Sequence, residues 1–179
     1  MALLIPHRAR HAVLLGILWS GICPAQTFNE YHVKAAFLYS FTKFVEWPAE
    51  AFASPGAPIA ICILGDDPFG DFLDVAVKGK IIRDRPLAVY RIAAAPSGHE
   101  CKILFIAASE RRRMPALLAS VVSYGVLTVG DTAEFTAEGG VIGLKRDGDQ
   151  IRLSVNLTAA ERANLRISSR VLSLATIVR

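Results

Sequence analysis

The sequence predicts an α/β fold: a single-domain sandwich in which a mixed β-sheet is flanked by helices and carries a C-terminal β-hairpin. Short apolar runs bounded by glycine and proline, such as Ile59–Leu64 and Lys102–Ala107, are typical of buried strands. They alternate with segments of helical periodicity. A turn at Asp147-Gly148 separates two further strand patterns, which predicts a hairpin. Strands alternating with helices, together with one hairpin, favour the mixed arrangement.

The elements follow from residue spacing and from turn residues. Apolar positions three and four apart predict five helices, at Phe28–Trp47, from Phe69 to about Gly79, and at Met114–Val122, Thr158–Asn164 and Ser168–Ile177. Apolar runs predict seven strands, at Ile59–Leu64, Ile81-Ile82, Leu87–Ile92, Lys102–Ala107, Val126–Val129, Val141–Lys145 and Ile151–Val155.

Local signals set the expected ends of these helices. Pro48 stops the first helix, because proline disfavours helical geometry in the residue before it. Pro115 fits the first turn of the third helix. Asp67 is the predicted N-cap of the second helix. Thr158 and Glu161 form a predicted capping box for the fourth.

The N-terminus has the three parts of a secretory signal. A basic start precedes an apolar run of eleven residues, Ala12–Ile22, and Cys23-Pro24-Ala25 offers small residues for cleavage after Ala25. The run is too short to span a bilayer. A lipoprotein signal with lipidated Cys23 is an alternative that the branched Ile22 disfavours, and a retained anchor is another. We therefore expect residues 1–25 to be a signal peptide and residues 26–179 to be one exported, periplasmic domain.

The charge of the expected mature chain is modest. The full chain has 20 Lys+Arg against 16 Asp+Glu, and two arginines leave with the signal, so the net charge falls from +4 to about +2. The one basic run, Arg111–Arg113, lies beside Glu110 and is typical of a solvated helix start. No nucleic-acid interface is expected. No second apolar stretch approaches 18 residues, so no span is expected in the mature chain.

Two cysteines remain after the signal, Cys62 inside a predicted strand and Cys101 at the entrance to another. Strands of one small sheet are often neighbours, and export places both thiols where disulfides persist. An exported chain therefore favours a Cys62–Cys101 bridge closing 39 positions. The alternative is two separate buried thiols that act as small apolar residues.

The sequence contains few residues that could form a catalytic site or bind a metal. The mature chain keeps only His32 and His99, without metal-ligand spacing, so neither a metal nor a cofactor is expected. No nucleophile elbow or phosphate-binding loop is present, and we expect no enzyme. A small-ligand pocket is an alternative at the carboxyl ends of the strands. Its candidate residues are Asp66, Asp67, Phe69 and Asp131.

Three blocks of the sequence carry a specific resemblance. They are Glu30–Pro48 (EYHVKAAFLYSFTKFVEWP), Ile61–Phe69 (ICILGDDPF), and Asn156–Ala175 with Gly139-Gly140 ahead of it. Together they resemble the YfiR-like family of exported bacterial proteins across nearly the whole mature chain. The resemblance implies a periplasmic repressor that binds the periplasmic sensor region of an inner-membrane diguanylate cyclase, lowers cyclic di-GMP and limits biofilm formation. It also implies a homodimer. The alternative is a periplasmic small-ligand-binding module without a cyclase partner.

The resemblance also bears on the cysteines. The best-known member of the family keeps two disulfides, and the one that joins the first strand to the strand before the middle helix matches Cys62–Cys101. The second has no counterpart, because Ile142–Leu153 contains no cysteine. One bridge, structural or redox-switched, is therefore implied.

Partner-binding candidates come from two blocks. The first helix carries seven aromatic residues, more than one face can bury, and an exposed apolar stripe is typical of a partner site. We select Phe41, Phe44 and Trp47 from it. Three arginines spaced by four would share one face of a continuous helix and could meet an acidic partner. They are Arg162, Arg166 and Arg170.

Overall fold

The computed structural model describes residues 29–179, so the predicted signal peptide, Cys23, the cleavage site and Phe28 lie outside the described residues. Five helices occur in this range: α1 (Glu30–Phe44), α2 (Asp71–Val77), α3 (Met114–Val121), α4 (Leu157–Arg162) and α5 (Ser169–Leu172). Ten strands accompany them: β1 (Val45–Glu46), β2 (Ile59–Leu64), β3 (Ile81–Ile82), β4 (Arg85–Ile92), β5 (Ile103–Ile106), β6 (Leu127–Gly130), β7 (Ile142–Asp147), β8 (Gln150–Asn156), β9 (Arg166–Ile167) and β10 (Ala175–Val178).

The main sheet of the described region contains eight strands in the order β10-β8-β7-β6-β5-β2-β4-β3. Five adjacent strands run parallel to one another: β4, β2, β5, β6 and β7. Strand β7 then pairs antiparallel with β8 in the predicted hairpin. Strand β4 pairs with one edge of β2, and β5, which follows β4 in the chain, pairs with the other edge of β2. Helices flank this mixed sheet, so the predicted fold class is confirmed.

The core fills both faces of the central strands, because alternate residues of a strand point to opposite faces. In β2, Ile61 and Ile63 join a large cluster with the buried residues of α1, α2 and α4. Cys62 and Leu64 join a second cluster with the apolar side of α3. All six residues of β2 are buried, as expected for a parallel strand covered on both faces.

Helix α1 is shorter than predicted. Asn29 caps it by accepting a hydrogen bond from the His32 amide, and it ends at Phe44 rather than Trp47. Trp47 precedes Pro48, and the chain is already extended at Val45–Glu46, where it pairs with β9. This antiparallel pair, β1–β9, forms a separate two-stranded ribbon that joins the end of α1 to the C-terminal segment.

The predicted terminal helix at Ser168–Ile177 is wrong in its second half. Helix α5 lasts one turn, and Ala175–Val178 forms β10, which pairs in parallel with β8 at the edge of the sheet. The β-branched run Thr176-Ile177-Val178 favours this strand.

The three arginines spaced by four do not share a helix face. Helix α4 ends at Arg162 in a Schellman motif: Leu165 donates to the Ala160 carbonyl at 2.9 Å, and Asn164 to the Glu161 carbonyl at 2.9 Å. Asn164 takes the left-handed conformation that this motif requires, with φ of 55°. The helix break places Arg162 on α4, Arg166 on β9 and Arg170 on α5.

Two predicted caps are also corrected. Asn156, not Thr158, caps α4, because its side-chain oxygen accepts from the Ala159 amide at 2.8 Å while its amide nitrogen donates to the Thr136 carbonyl. Asp67 does not cap α2, which begins after Gly70. Its carboxylate accepts from the Phe69 amide at 2.7 Å and so shapes the turn that precedes the helix.

Candidate functional site

The β1–β9 ribbon gathers four of the six partner-binding candidates. Glu46 pairs with Arg166 and Val45 with Ile167, so the end of α1 lies beside the C-terminal segment. Ser168 donates its amide to the Phe44 carbonyl at 2.9 Å, which continues the ribbon by one residue. We call the side chains of Phe44, Trp47, Arg166 and Arg170 the ribbon surface.

The ribbon surface combines half-buried aromatic rings with exposed cations. The Arg170 guanidinium lies over the Phe44 ring at 5.8 Å from its centre. The Trp47 indole donates to the Lys102 carbonyl at 3.1 Å, which fixes the ring against the sheet. Neither Arg166 nor Arg170 forms a side-chain ion pair with any residue in the described range. Both side chains are exposed, and their charges have no ion-pair partner among residues 29–179.

A cavity of about 810 Å³ opens beside the ribbon surface, at the amino ends of β5 and β6. Trp47 and Arg166 line it together with Tyr124 and His99. Three carboxylates also line it, those of Glu46, Glu50 and Glu161. Arg166 additionally lines a smaller neighbouring cavity of about 260 Å³ with Phe44, so the two hollows meet at the ribbon.

The other two partner candidates lie elsewhere. Phe41 is buried in the main core, with 1% of its surface exposed, and packs against Phe37 on the same helix. Arg162 lines a separate cavity between α3 and α4. The aromatic residues of α1 between Tyr31 and Phe44 are all at least partly buried, so the helix presents no exposed apolar stripe.

The ligand-pocket candidates after β2 are largely occupied by internal contacts. Arg91 forms ion pairs with Asp67 at 2.9 Å and with Asp74 at 2.6 Å. Hydrogen bonds from Arg91 lower the pKa of the Asp74 carboxyl, and those same bonds raise the pKa of Arg91. Phe69 is fully buried, with its ring centre 4.8 Å from that of Phe105.

The turn that carries Asp66 is held by its neighbours at the carboxyl edge. The Asp66 amide donates to the Ser109 hydroxyl at 2.9 Å. Gly65 has φ of 91°, and a side chain there would meet Ser109 and Glu110. The carboxyl ends of β2 and β5 are thus packed together where a doubly wound sheet usually leaves a crevice.

Asp131, the fourth pocket candidate, belongs to a buried ionic cluster. The Lys34 ammonium lies 2.7 Å from its Oδ2 and also contacts the Glu30 carboxylate. The Tyr31 hydroxyl donates to the same Oδ2 at 3.1 Å. Burial, with the Asp131 charge, raises the pKa of Tyr31 to about 12. We call Glu30, Tyr31, Lys34 and Asp131 the carboxyl-edge network. None of the four pocket candidates lines either cavity beside the ribbon, and the predicted ligand pocket remains a prediction.

Lys102 is a buried charged residue that the sequence analysis does not identify. It begins an apolar strand pattern, where a lysine is usually exposed. Its ammonium donates to the His99 carbonyl at 2.7 Å and lies 5.2 Å from the centre of the Phe52 ring. Burial, and then the nearby Arg85 charge, lower the pKa of Lys102 to about 8.

Cys62 and Cys101 form a disulfide with a Cα–Cα distance of 5.8 Å, as the export argument favours. Cys101 adjoins Lys102, so the bridge ties the middle of β2 to the segment that supports Trp47. Within residues 29–179 no group of three or more His, Cys, Asp or Glu side chains is arranged to hold a metal ion. None of the helices in that range has the length and apolarity needed to cross a membrane.

Comparison with known proteins places the chain in a family. The model of the YfiR/HmsC-like family matches residues 31–176. The chain belongs to the YfiR/HmsC-like family. The family is a regulatory one, connected with diguanylate cyclase signalling in the periplasm. No match was found among the curated proteins.

Solved structures give the fold alone. The chain is similar to a conserved domain protein from Vibrio cholerae O1 biovar El Tor, with 11% identity and a TM-score of 0.52 over 68% of this chain. A Streptococcus pneumoniae ABC domain, solved in complex with L-Trp, has 10% identity and a TM-score of 0.49 over 67% of this chain. The chain covers 55% of each of these two proteins, about half of their length.

Proposed function

We propose that this protein is a periplasmic repressor that binds the periplasmic sensor region of an inner-membrane diguanylate cyclase. Binding holds the cyclase inactive, lowers cyclic di-GMP inside the cell and limits biofilm formation. The role needs no catalytic step. The observation that carries the proposal is the match to the YfiR/HmsC-like family over residues 31–176.

The ribbon surface is our candidate for the contact with the cyclase. Aromatic and arginine side chains are the types that most often dominate the energy of protein interfaces. A guanidinium binds carboxylates through two parallel hydrogen bonds, which suits an acidic patch on the partner. Arg166 and Arg170 have no ion-pair partner within the described residues, so binding would not break an existing pair.

Two contacts hold the structure that supports this surface. Trp47 is anchored by its hydrogen bond to the Lys102 carbonyl, and the Cys62–Cys101 disulfide holds the adjoining residue. A preorganised contact loses less conformational entropy on binding than a flexible one. The disulfide therefore supports the proposed contact without needing to change redox state.

Deletion of the gene tests the repressor role, with cellular cyclic di-GMP as the readout. In a strain that keeps the cyclase, deletion raises cyclic di-GMP, and a plasmid copy of the gene reverses the rise. Deleting both the gene and the cyclase gene keeps the level low. Unchanged cyclic di-GMP after the single deletion contradicts the proposal.

A homodimer is part of the proposal and is tested separately. Sedimentation equilibrium of the purified protein gives a mass twice that of one chain if the proposal is right. A single-chain mass across the accessible concentration range contradicts this part and leaves the repressor role to the deletion experiment.

The second candidate function is a periplasmic small-ligand-binding module without a cyclase partner. The cavity beside the ribbon favours it, because its volume of about 810 Å³ and its Trp47, Tyr124 and His99 lining suit a small organic molecule. Unchanged cyclic di-GMP on deletion, together with saturable ligand binding that quenches Trp47 fluorescence, would support this candidate over the first.

A further inference from the structure

A separate apolar cavity of about 300 Å³ lies between α3 and α4. Its apolar lining comes from α3, α4 and the segments before β6 and β7, and includes Leu118, Val121, Val126, Val141 and Ala159. Val121, Val126 and Val141 are each at most 3% exposed, so the floor of the cavity belongs to the core. The volume is at the lower end of those typical for small-molecule sites.

Two opposite charges line this cavity without pairing. Glu138 approaches from the segment before β7, and Arg162 from the last turn of α4. Neither side chain forms an ion pair or a hydrogen bond with another residue in the described part of the chain, and they do not pair with each other. At the carboxyl edge, in contrast, Lys34 and Asp131 face each other directly at 2.7 Å.

A buried hydroxyl supplies a third polar contact. Thr128 lines the cavity and is only 4% exposed. Its oxygen accepts a hydrogen bond from the Val141 amide at 3.0 Å, and no residue of the range 29–179 accepts its proton. A hydroxyl can donate one hydrogen bond as well as accept, so the Thr128 proton is available to a ligand carboxylate.

We infer that the α3–α4 cavity binds a small zwitterion with a compact aliphatic body, of the class of the branched-chain amino acids. The carboxylate pairs with Arg162, the ammonium group with Glu138, and the aliphatic side chain packs on the valine floor. Charge-assisted hydrogen bonds set the orientation, and burial of the side chain supplies the apolar part of the affinity. This site is distinct from the ribbon surface and stands whether or not the cyclase contact is correct.

A titration of the purified protein with leucine tests the inference. The readout is the NMR chemical shifts of the methyl groups of Val121, Val126 and Val141. Leucine causes saturable shifts of these resonances. Leucinamide, which lacks the carboxylate, and 4-methylpentanoate, which lacks the ammonium group, each bind about tenfold more weakly, because each loses one charged hydrogen bond. The absence of saturable shifts with leucine overturns the inference.

Two variants test which charged side chain binds which charged group of the ligand. Glu138→Gln weakens leucine binding about tenfold and leaves the affinity for 4-methylpentanoate unchanged. Arg162→Gln weakens leucine binding similarly and leaves the affinity for leucinamide unchanged. The exposed pair Glu100→Gln and Arg112→Gln are matched controls outside the cavity that leave leucine binding unchanged. Equal leucine affinity in the parent, Glu138→Gln and Arg162→Gln proteins also overturns the inference.

Discussion

At the carboxyl edge of the sheet, the buried Lys34 ammonium lies between Glu30 and Asp131, and Arg91 lies between Asp67 and Asp74. At the amino edge, Arg166 has no ion-pair partner in the described chain, and neither has Arg170. The two edges therefore differ in their charged groups. Lys34 and Arg91 at the carboxyl edge form ion pairs within the chain, whereas Arg166 and Arg170 at the amino edge are exposed and can bind a partner.

This difference bears on where function lies. Doubly wound sheets usually bind ligands at the carboxyl ends of their strands, beside the point where the strand order reverses. Here that edge is closed by Gly65 packing against Ser109 and by the carboxyl-edge network. The large cavity lies at the opposite edge, beside the disulfide-supported segment, and Arg166, which has no ion-pair partner among residues 29–179, lines it. The fold alone would therefore direct attention to the carboxyl edge, whereas the large cavity lies at the amino edge.

The largest expected effect comes from the amino edge. Replacing both bridge residues (Cys62→Ser with Cys101→Ser) lowers the free energy of unfolding by about 4 kcal/mol, because a loop of 39 positions is no longer closed in the unfolded chain. Denaturant unfolding under non-reducing conditions measures it. The reduced parent protein should match the variant, and a variant as stable as the oxidised parent would show that the bridge is idle.

At the carboxyl edge, Asp131→Leu lowers the free energy of unfolding by about 3 kcal/mol, because the buried Lys34 ammonium loses a partner. Lys34→Met combined with Asp131→Leu recovers most of the loss, since Glu30 keeps its ion pair with Arg146 and no buried charge is left without a partner. The same denaturation assay measures both. If the single and double variants are equally destabilised, packing rather than charge accounts for the cost.

Lys102 makes the stability depend on pH. Its folded-state pKa of about 8 lies below the usual 10.5, so between these values the unfolded chain holds more protons. The free energy of unfolding therefore rises with pH through this window, by about 2 kcal/mol from pH 7.5 to pH 9.5. Lys102→Met abolishes the rise, and the surface variant Lys80→Met keeps it. A parent protein with flat stability across this range would contradict a charged, buried Lys102.

The smallest effect on stability is expected at the ribbon surface. Arg166→Gln combined with Arg170→Gln changes the free energy of unfolding by less than about 1 kcal/mol, because both side chains are exposed and neither forms an ion pair within residues 29–179. Thermal unfolding measures it. A large loss of stability would mean that these arginines serve the fold, as the carboxyl-edge charges do.

The sequence predicts the sheet and its hairpin well because each central strand is an apolar run between turn residues. It also predicts the disulfide, since export and strand position favour the same pairing. It fails at the C-terminus, where the spacing of Val171, Leu172 and Ala175 predicts a helix as far as Ile177. The β-branched run Thr176-Ile177-Val178 instead forms β10.

The candidate site is less predictable than the fold. Phe44, Trp47, Arg166 and Arg170 meet only because β1 pairs with β9, and two-residue strands leave almost no signal in a sequence. Lys34 is missed because its partner Asp131 is distant in the chain. Lys102 is missed because its ammonium donates to the main-chain carbonyl of His99, and such a carbonyl leaves no signal in the residue types. Periodicity reports which faces are apolar, not which charges are paired.

Variants of the ribbon surface, expressed in the deletion strain, test the proposed cyclase contact most directly. The measurement is cellular cyclic di-GMP. Arg166→Glu with Arg170→Glu fails to lower cyclic di-GMP, although the variant protein accumulates in the periplasm at the parent level. Lys80→Glu with Arg112→Glu changes the net charge equally on other surfaces and restores repression. Full repression by the ribbon variant would contradict the assignment of this surface to the cyclase contact.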